Sequence, residues 1–137
     1  MSGPTTHTLA RFPERVAVVR LGPGAELPAW AGSATLLSVT ATATETSIVC
    51  GAASVPAKAR QAGPYIAFQV QGPLDLALTG VLAGLLAPLA EAEVSVFAIS
   101  TFDTDWILVP DGDADRAEEE WRRRGHTVAP AVPVVPR

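Results

Sequence analysis

Hydrophobic and polar positions in the second half of the chain follow two periods. A β-rich run at residues 65–70 stops before a Gly-Pro pair. Apolar residues then recur at the i, i+3, i+4, i+7 spacing of a helix buried along one face, namely Leu78, Val81, Leu82, Leu85, Leu86 and Leu89. A near-continuous apolar run at 94–100 predicts a central strand. Residues 105–109 predict its antiparallel partner across a turn at 102–104.

A second helix and a closing strand complete this half. Asp113 is the predicted N-cap, acidic residues crowd the first turns, and three arginines occupy the last turn, which suits the helix dipole at both ends. Gly125 can adopt the left-handed conformation that ends the helix, and residues 126–128 predict a strand. The order strand, helix, strand, strand, helix, strand predicts an α+β fold of the ferredoxin-like βαββαβ type.

The first half repeats a shortened version of this pattern. Residues 15–21 predict a strand, residues 26–31 one helical turn around Trp30, and residues 35–40 and 46–50 the two strands of a hairpin. A unit of about 60 residues is marginally stable alone, so we expect two such units to share a core. The predicted units are an abbreviated N-terminal one at 8–62 and a complete one at 63–128. Residues 129–137 predict a flexible, proline-rich tail.

Composition narrows the class of partner. A hydrophobic fraction of 48% with 18% charged residues indicates a folded globule, and a formal net charge of −4 disfavours nucleic acid as the main partner. The longest apolar stretch, residues 81–92, is too short to span a bilayer, and no signal peptide is apparent. A single cysteine excludes an internal disulfide. We therefore expect a cytoplasmic protein that binds no membrane.

Two long motifs carry a family resemblance. Residues 70–80, and residues 94–105 with the sequence Ile-Ser-Thr-Phe-Asp-Thr-Asp at 99–105, closely resemble bacterial stand-alone ACT-domain proteins that are related to the regulatory domains of aspartate kinase. The same hairpin pattern occurs in the ACT modules of animal cytosolic arginine sensors. Residues 37–40 and 47–50 are similar to the N-terminal half of that family. The resemblance covers residues 8–128 and implies two tandem ACT-like units.

The resemblance also implies a function. ACT modules typically bind amino acids or other small metabolites, commonly pair side by side, and transmit occupancy to a partner. We therefore expect a non-enzymatic, amino-acid-binding regulatory protein that forms a homodimer, regulates an unidentified protein and needs no cofactor. The alternative is a constitutive adaptor that pairs with another protein through an exposed ACT sheet edge and has no ligand.

The loop at residues 72–80 is the first candidate part of a ligand site. A strand that ends at Gly-Pro and leads into a helix offers free backbone N–H groups at a positive dipole end, which suits a carboxylate. Gly80 permits close approach of a ligand, and Asp75 could accept an α-ammonium group. The structural alternative is that Asp75 or Thr79 caps the helix.

The hairpin at residues 99–105 is the second candidate part. Hydroxyls and carboxylates that interrupt an apolar strand suit the edge of a polar pocket. Asp105 is the best candidate to pair with a cationic group, while Asp103 fits a local turn. The ligand would lie between the first loop and the hairpin of a neighbouring ACT unit. The candidate hairpin residues are Ile99, Ser100, Thr101, Phe102 and Asp105. The alternative is a hairpin with a structural role only.

The other chemistry-bearing residues support no catalytic or metal site. The alternation of Asp111, Asp113 and Asp115 resembles the start of a calcium loop, but the sixth position is arginine and the twelfth is not glutamate. His7 and His126 lack metal-ligand spacing, and no nucleophile motif surrounds the one cysteine.

Overall fold

The described part of the chain forms one seven-stranded sheet and two α-helices. A computed structural model describes residues 5–72, 74 and 79–132. The strands are β1 (Thr8–Leu21), β2 (Ser38–Ala41), β3 (Thr46–Gly51), β4 (Gln61–Val70), β5 (Phe97–Ser100), β6 (Asp105–Pro110) and β7 (Thr127–Pro130). The α-helices are α1 (Val81–Glu91) and α2 (Ala114–Arg123), and two short 3-10 turns lie at Ala52–Ser54 and Asp111–Asp113. No helix in the described ranges is long and apolar enough to cross a membrane.

The long strand β1 organises the sheet. One of its edges pairs along its length with β4. The other edge pairs with parallel β7 near Leu9 and with antiparallel β3 from Val16 onwards. Strand order is β2-β3-β1-β4-β6-β5, with β7 beside β1. A register shift between Arg11 and Arg15 bends β1 where its neighbour changes.

The predicted βαββαβ order is confirmed for β4-α1-β5-β6-α2-β7. One feature is added to the expected arrangement: β1 lies between β4 and the closing strand β7, so Leu9 is opposite both Val70 and Val128. The predicted division at residues 62 and 63 lies inside β4, and the two units share one sheet. The boundaries of the units stay a prediction.

Both helices pack on one face of the sheet. Their shared core contains Leu9, Phe68, Val70, Leu85, Leu89, Ile107 and Trp121. The Trp121 ring meets Phe68 edge-on at 4.9 Å, and its Nε1–H donates a 2.8 Å hydrogen bond to the carbonyl oxygen of Leu85. The indole therefore satisfies its one polar group while it joins α2 to α1.

The opposite face curls around a second apolar cluster. Its buried members are Val16, Val49, Ala67, Trp106 and Leu108. The curl brings the edge strands β2 and β5 to opposite sides of a gap of about 460 Å³, lined by Ser38, Val39, Thr40, Ser47, Val49, Phe97, Ala98, Ile99 and Ser100. The sheet is thus a partly closed barrel with two free edges along one seam.

Three local predictions are wrong. Residues 26–31 form a turn closed by a hydrogen bond from Ala31 N–H to Pro28 O, and not a helical turn. The apolar run at 94–100 contributes only the short edge strand β5, because β6 lies between β5 and β4. Ala129 and Pro130, assigned to the tail, extend β7; Pro130 is opposite Arg11 at the strand end, where it needs no N–H donor. The remaining tail prediction for 133–137 lies outside the described residues.

The other turn and cap predictions meet with different outcomes. The β2-β3 hairpin forms as predicted, and Gly125 has the expected positive φ of 89° after α2. Asp113 occupies the N-cap position of α2 but makes no capping hydrogen bond, since its carboxylate lies 3.4 Å from the guanidinium of Arg116.

Candidate functional site

Two hydrogen bonds hold the β4-α1 loop against the β5-β6 hairpin. The hydroxyl of buried Thr104 donates to the carbonyl oxygen of Val70 at 2.6 Å. The N–H of Leu74 donates to the carbonyl oxygen of Asp103 at 2.7 Å. The end of β4 is therefore fixed to the hairpin turn, and the start of α1 lies beside it.

The hairpin turn is closed by a threonine. Thr101 N–H and its hydroxyl both donate to Thr104 O, at 2.8 and 3.0 Å. The predicted role of Asp103 as the residue that makes the turn is wrong, because Thr101 supplies the side-chain bond. The Asp103 side chain is exposed and lies at the edge of the space in front of α1.

A cleft of about 350 Å³ separates the hairpin from the start of α1. It is lined by Leu74, Gly80, Val81, Leu82, Ala83, Ser100, Thr101, Asp103, Thr104 and Asp105. One wall is the first turn of α1, whose leading N–H groups have no intrahelical acceptor. Gly80 is the N-cap, with φ of 78°, and has no side chain to cap them.

The opposite wall carries the negative charge. Asp103 and Asp105 lie at the hairpin, and the hydroxyl of Ser100 donates to Oδ1 of Asp105 at 2.7 Å. Among the described residues, Oδ2 of Asp105 accepts no hydrogen bond. The cleft thus has hydrogen-bond donors at a positive dipole end on one side and carboxylates on the other.

The structure brings together half of the predicted site residues. Gly80, Ser100, Thr101 and Asp105 line the cleft. The loop and the hairpin belong to the same ACT unit, whereas the sequence suggested a hairpin from a neighbouring unit.

Three of the other predicted residues do not line this cleft, and the fourth lies outside the described residues. Ile99 packs into the cluster around Trp106, and Phe102 is 83% exposed at the tip of the turn. Neither residue lines the cleft. Strand alternation turns the Ile99 side chain to the sheet face opposite the helices. Thr79 lines an adjoining cleft, and Asp75 lies outside the described residues.

Sequence reasoning missed the apolar part of the lining. Leu74, Val81 and Leu82 are partly buried and also touch the helix-side core. The helical periodicity predicted Val81 and Leu82 as core residues only. At the start of a helix, however, a residue can contact the core and also line a cleft. The position of Val81 and Leu82 in the first turn after Gly80 was the available signal.

Two aspartates of the calcium-like sequence form ion pairs with β1. Asp111 pairs with Arg15 at 2.9 Å, and Asp115 pairs with Arg11 at 2.7 Å, so these acids join α2 and its preceding turn to β1. Within the described ranges, no group of three or more His, Cys, Asp or Glu residues could hold a metal ion. Cys50 is buried in a small apolar cluster, and this burial raises the pKa of its thiol.

Two parts of the chain match family models. Residues 62–119 match a family model described as an ACT domain, ACT_7, and residues 14–58 match a model described as the N-terminal domain of a further family. No curated protein matches the sequence.

Solved structures share the fold over most of the chain. A protein from Agobacterium tumefaciens is 28% identical, with a TM-score of 0.85 over 94% of this chain and 96% of that chain. A Vibrio cholerae protein of unknown function, described as a possible transport protein, is 15% identical, with a TM-score of 0.69 over 86% of this chain and 89% of that chain. The crystal structure of aspartokinase α and β subunits gives 10% identity and a TM-score of 0.60 over 87% of this chain and 97% of that chain.

The fold is that of a ferredoxin-like α+β module. Residues 62–119 of this module are an ACT domain, and the recognition made from the two sequence motifs is confirmed. ACT domains have regulatory, ligand-binding roles in general and are not catalytic.

Proposed function

We propose that the chain is a regulatory protein that binds a free amino acid in the cleft between α1 and the β5-β6 hairpin. The observation that carries the proposal is the opposite polarity of the two walls. Backbone N–H groups at the start of α1 face the ligand space from one side, and Asp103 and Asp105 face it from the other. A zwitterion has this same separation of charge.

Each wall suits one end of an α-amino acid. The carboxylate would accept from the N–H groups of the first turn of α1, beside Gly80, whose lack of a side chain allows close approach. The ammonium group would donate to Oδ2 of Asp105, while the bond from Ser100 holds the other oxygen in place. Asp75, outside the described residues, remains a second candidate for the ammonium group.

The size and lining of the cleft favour a small ligand. Its volume of about 350 Å³ is near the lower end for small-molecule sites. Leu74, Val81 and Leu82 form an apolar wall against which an aliphatic side chain could pack. We therefore favour a zwitterionic amino acid with a branched or basic side chain.

Regulation requires that binding change an interaction with another chain. The cleft is open on its solvent side, where the hairpin tip presents exposed Phe102. We propose that a second copy, paired side by side, covers this side and that occupancy changes the pairing. A ligand shifts such an equilibrium only by its difference in affinity for the two states.

A thermal-shift scan against the proteinogenic amino acids tests the proposal. A ligand at a hundred times its dissociation constant stabilises by about 2.7 kcal/mol. This should raise the melting temperature by several degrees. Asp105→Asn should abolish the shift, because it removes the charge and keeps the shape. Glu26→Gln makes the same charge change in the loop after β1, outside the cleft, and should retain the shift.

The rival function has one structural observation in its favour. The seam between β2 and β5 leaves two strand edges free, with Val39 exposed on β2 and Val96 exposed just before β5. An adaptor would pair a partner strand at such an edge. If no amino acid or small metabolite shifts the melting temperature of the folded, ligand-free protein, the amino-acid proposal fails and the adaptor reading takes its place.

A further inference from the structure

A second cleft lies on the other side of the α1 start. Its volume is about 550 Å³, and it is lined by Thr5, His7, Thr79, Gly80, Val81, Gly84, Arg124 and His126. The two clefts share Gly80 and Val81. Their chemistry differs, because the first is lined by two aspartates and the second by two imidazoles and a guanidinium.

The sheet register brings the two histidines together. Thr8 pairs with Thr127 in the parallel β1-β7 ladder, so His7 and His126 are adjacent one residue before it. Thr127 N–H donates to the carbonyl oxygen of His7 at 3.0 Å. The imidazole rings stack with centroids 5.8 Å apart and an interplanar angle of 17°.

The hydrogen bond to His126 fixes which ring nitrogen carries the proton. The main-chain N–H of His7 donates to Nδ1 of His126 at 3.0 Å. Neutral His126 must therefore carry its proton on Nε2, as a donor. The residue is only 8% exposed and lines the cleft, and Nε2 has no hydrogen-bond partner among the described residues. Nε2 is therefore an accessible donor at the cleft wall, where water or a ligand can accept from it.

The other polar groups of the cleft are also donors. The first turn of α1 contributes its N–H groups, next to Gly80. Arg124, in the C-cap position of α2, forms an ion pair with Glu91 and keeps further guanidinium N–H groups. No carboxylate is part of the described lining. The charged and titratable groups around the imidazole of His126 are thus His7, Arg124 and, through its ion pair, Glu91.

We propose that this second cleft binds a compact oxyanion, the phosphate or carboxylate group of a small metabolite. The anion would accept from Nε2 of His126, from the first turn of α1 and from Arg124. This site does not require the amino-acid site, but both use N–H groups of the first turn of α1 beside the shared Gly80 and Val81, so we expect the two ligands to compete.

Burial keeps His126 neutral. Desolvation first, and then the nearby His7, lower the pKa of His126, so the empty cleft disfavours the imidazolium form. A second proton on the ring would lie on Nδ1 and break the hydrogen bond from the His7 N–H. The anion should therefore bind the neutral ring through Nε2–H, and a fall in pH from 7.5 to 6 should not tighten binding.

The experiment is an anion titration followed by NMR. His7 and His126 are the only two histidines of the chain, so their ring Cε1–H signals report the site directly. Inorganic phosphate and acetate would be added separately at pH 6.0 and 7.5, with sodium chloride holding the ionic strength constant. We expect saturable shifts of both histidine signals, with binding no tighter at pH 6.0 than at pH 7.5. Binding of phosphate alone, acetate alone or both identifies the oxyanion.

Two variants test the assigned donors. His126→Asn keeps an acceptor near the position of Nδ1 for the His7 N–H but removes the Nε2 donor, and we expect at least a tenfold loss of affinity. Arg124→Gln should weaken binding, whereas Arg123→Gln, a matched change at an exposed position outside the cleft, should not. Absence of saturation with both anions at both pH values overturns the proposal. Unchanged affinity in both folded variants, His126→Asn and Arg124→Gln, does so as well.

Discussion

Leu74 and Asp103 are joined by a 2.7 Å hydrogen bond from the N–H of the first residue to the carbonyl oxygen of the second. This bond connects the loop that precedes α1 to the turn of the β5-β6 hairpin. The two sides of the amino-acid cleft come from these two segments, so the width of the cleft depends on the bond.

Gly72 is the residue that allows this approach. A Cβ atom at position 72 would lie 2.9 Å from Leu74 N and 3.0 Å from Asp103 O, both main-chain atoms. Gly72→Ala should therefore push the loop from the hairpin, lower the free energy of unfolding by about 1–3 kcal/mol and abolish ligand-induced thermal shifts. Urea unfolding and the thermal-shift scan measure the two effects.

Gly84 provides the control for that substitution. A Cβ atom there would meet nothing within 4 Å, and the residue lies inside α1. Gly84→Ala should raise stability by about 0.5–1 kcal/mol, because alanine loses less backbone entropy in a helix. Equal destabilisation by both substitutions would refute the assigned role of Gly72.

A hydrogen bond between Ser33 and Glu14 should contribute measurably to stability. Ser33 Oγ donates to Glu14 Oε1 at 2.5 Å, and Thr35 N–H donates to the same oxygen at 3.2 Å. The pair holds the long connection between β1 and β2 against the sheet. Ser33→Ala should cost about 1–2 kcal/mol in urea unfolding, since a hydrogen bond to a charged group is lost. Ser95→Ala, at an exposed position, should stay within about 0.5 kcal/mol of wild type.

Trp121 tests the packing of the two helices. Trp121→Phe keeps most of the buried ring but removes the Nε1–H bond to Leu85 O and leaves a void beside Phe68. We expect a loss of about 1–3 kcal/mol in the free energy of unfolding. Phe102→Ala, at a ring that is 83% exposed, should leave stability nearly unchanged. A Trp121→Phe protein as stable as wild type would show that the indole bond contributes nothing.

Cys50 should be unreactive in the folded protein. Its side chain is fully buried in β3, and burial raises the pKa of the thiol, so little thiolate is present or accessible. Ellman's reagent at pH 8 should react slowly with the native protein and rapidly in urea. Fast stoichiometric reaction without denaturant would contradict the assigned burial.

The helices and the hairpin were predictable because their signals are local. Spacing of Leu85 and Leu89 identifies the buried face of α1, and Gly125 identifies the end of α2. Sheet order is not local: the apolar run ending at Ser100 looks central, yet the adjacent β6 takes that place. The insertion of β1 between β4 and β7 depends on pairings between distant segments, which periodicity does not encode.

The same distinction between local and distant signals explains why the first cleft was predictable and the second was not. Gly80 and Asp105 are only 25 positions apart and lie in motifs that the sequence already singled out. His7 and His126 are 119 positions apart, and each looks isolated until the β1-β7 register joins them. The donor cluster of the second cleft was therefore not predictable from spacing.

The stability of the fold should fall in mild acid because of His126. Its pKa is lowered in the folded state by burial and by His7, so between that lowered pKa and the unfolded value of about 6.5 the unfolded chain binds more protons. The free energy of unfolding then rises with pH through this window and levels off above pH 7. Melting temperatures measured from pH 5.5 to 8 in phosphate-free buffer should show this rise, and His126→Asn should flatten it. If the melting temperature of His126→Asn depends on pH as strongly as that of the wild-type protein, groups other than His126 cause the dependence.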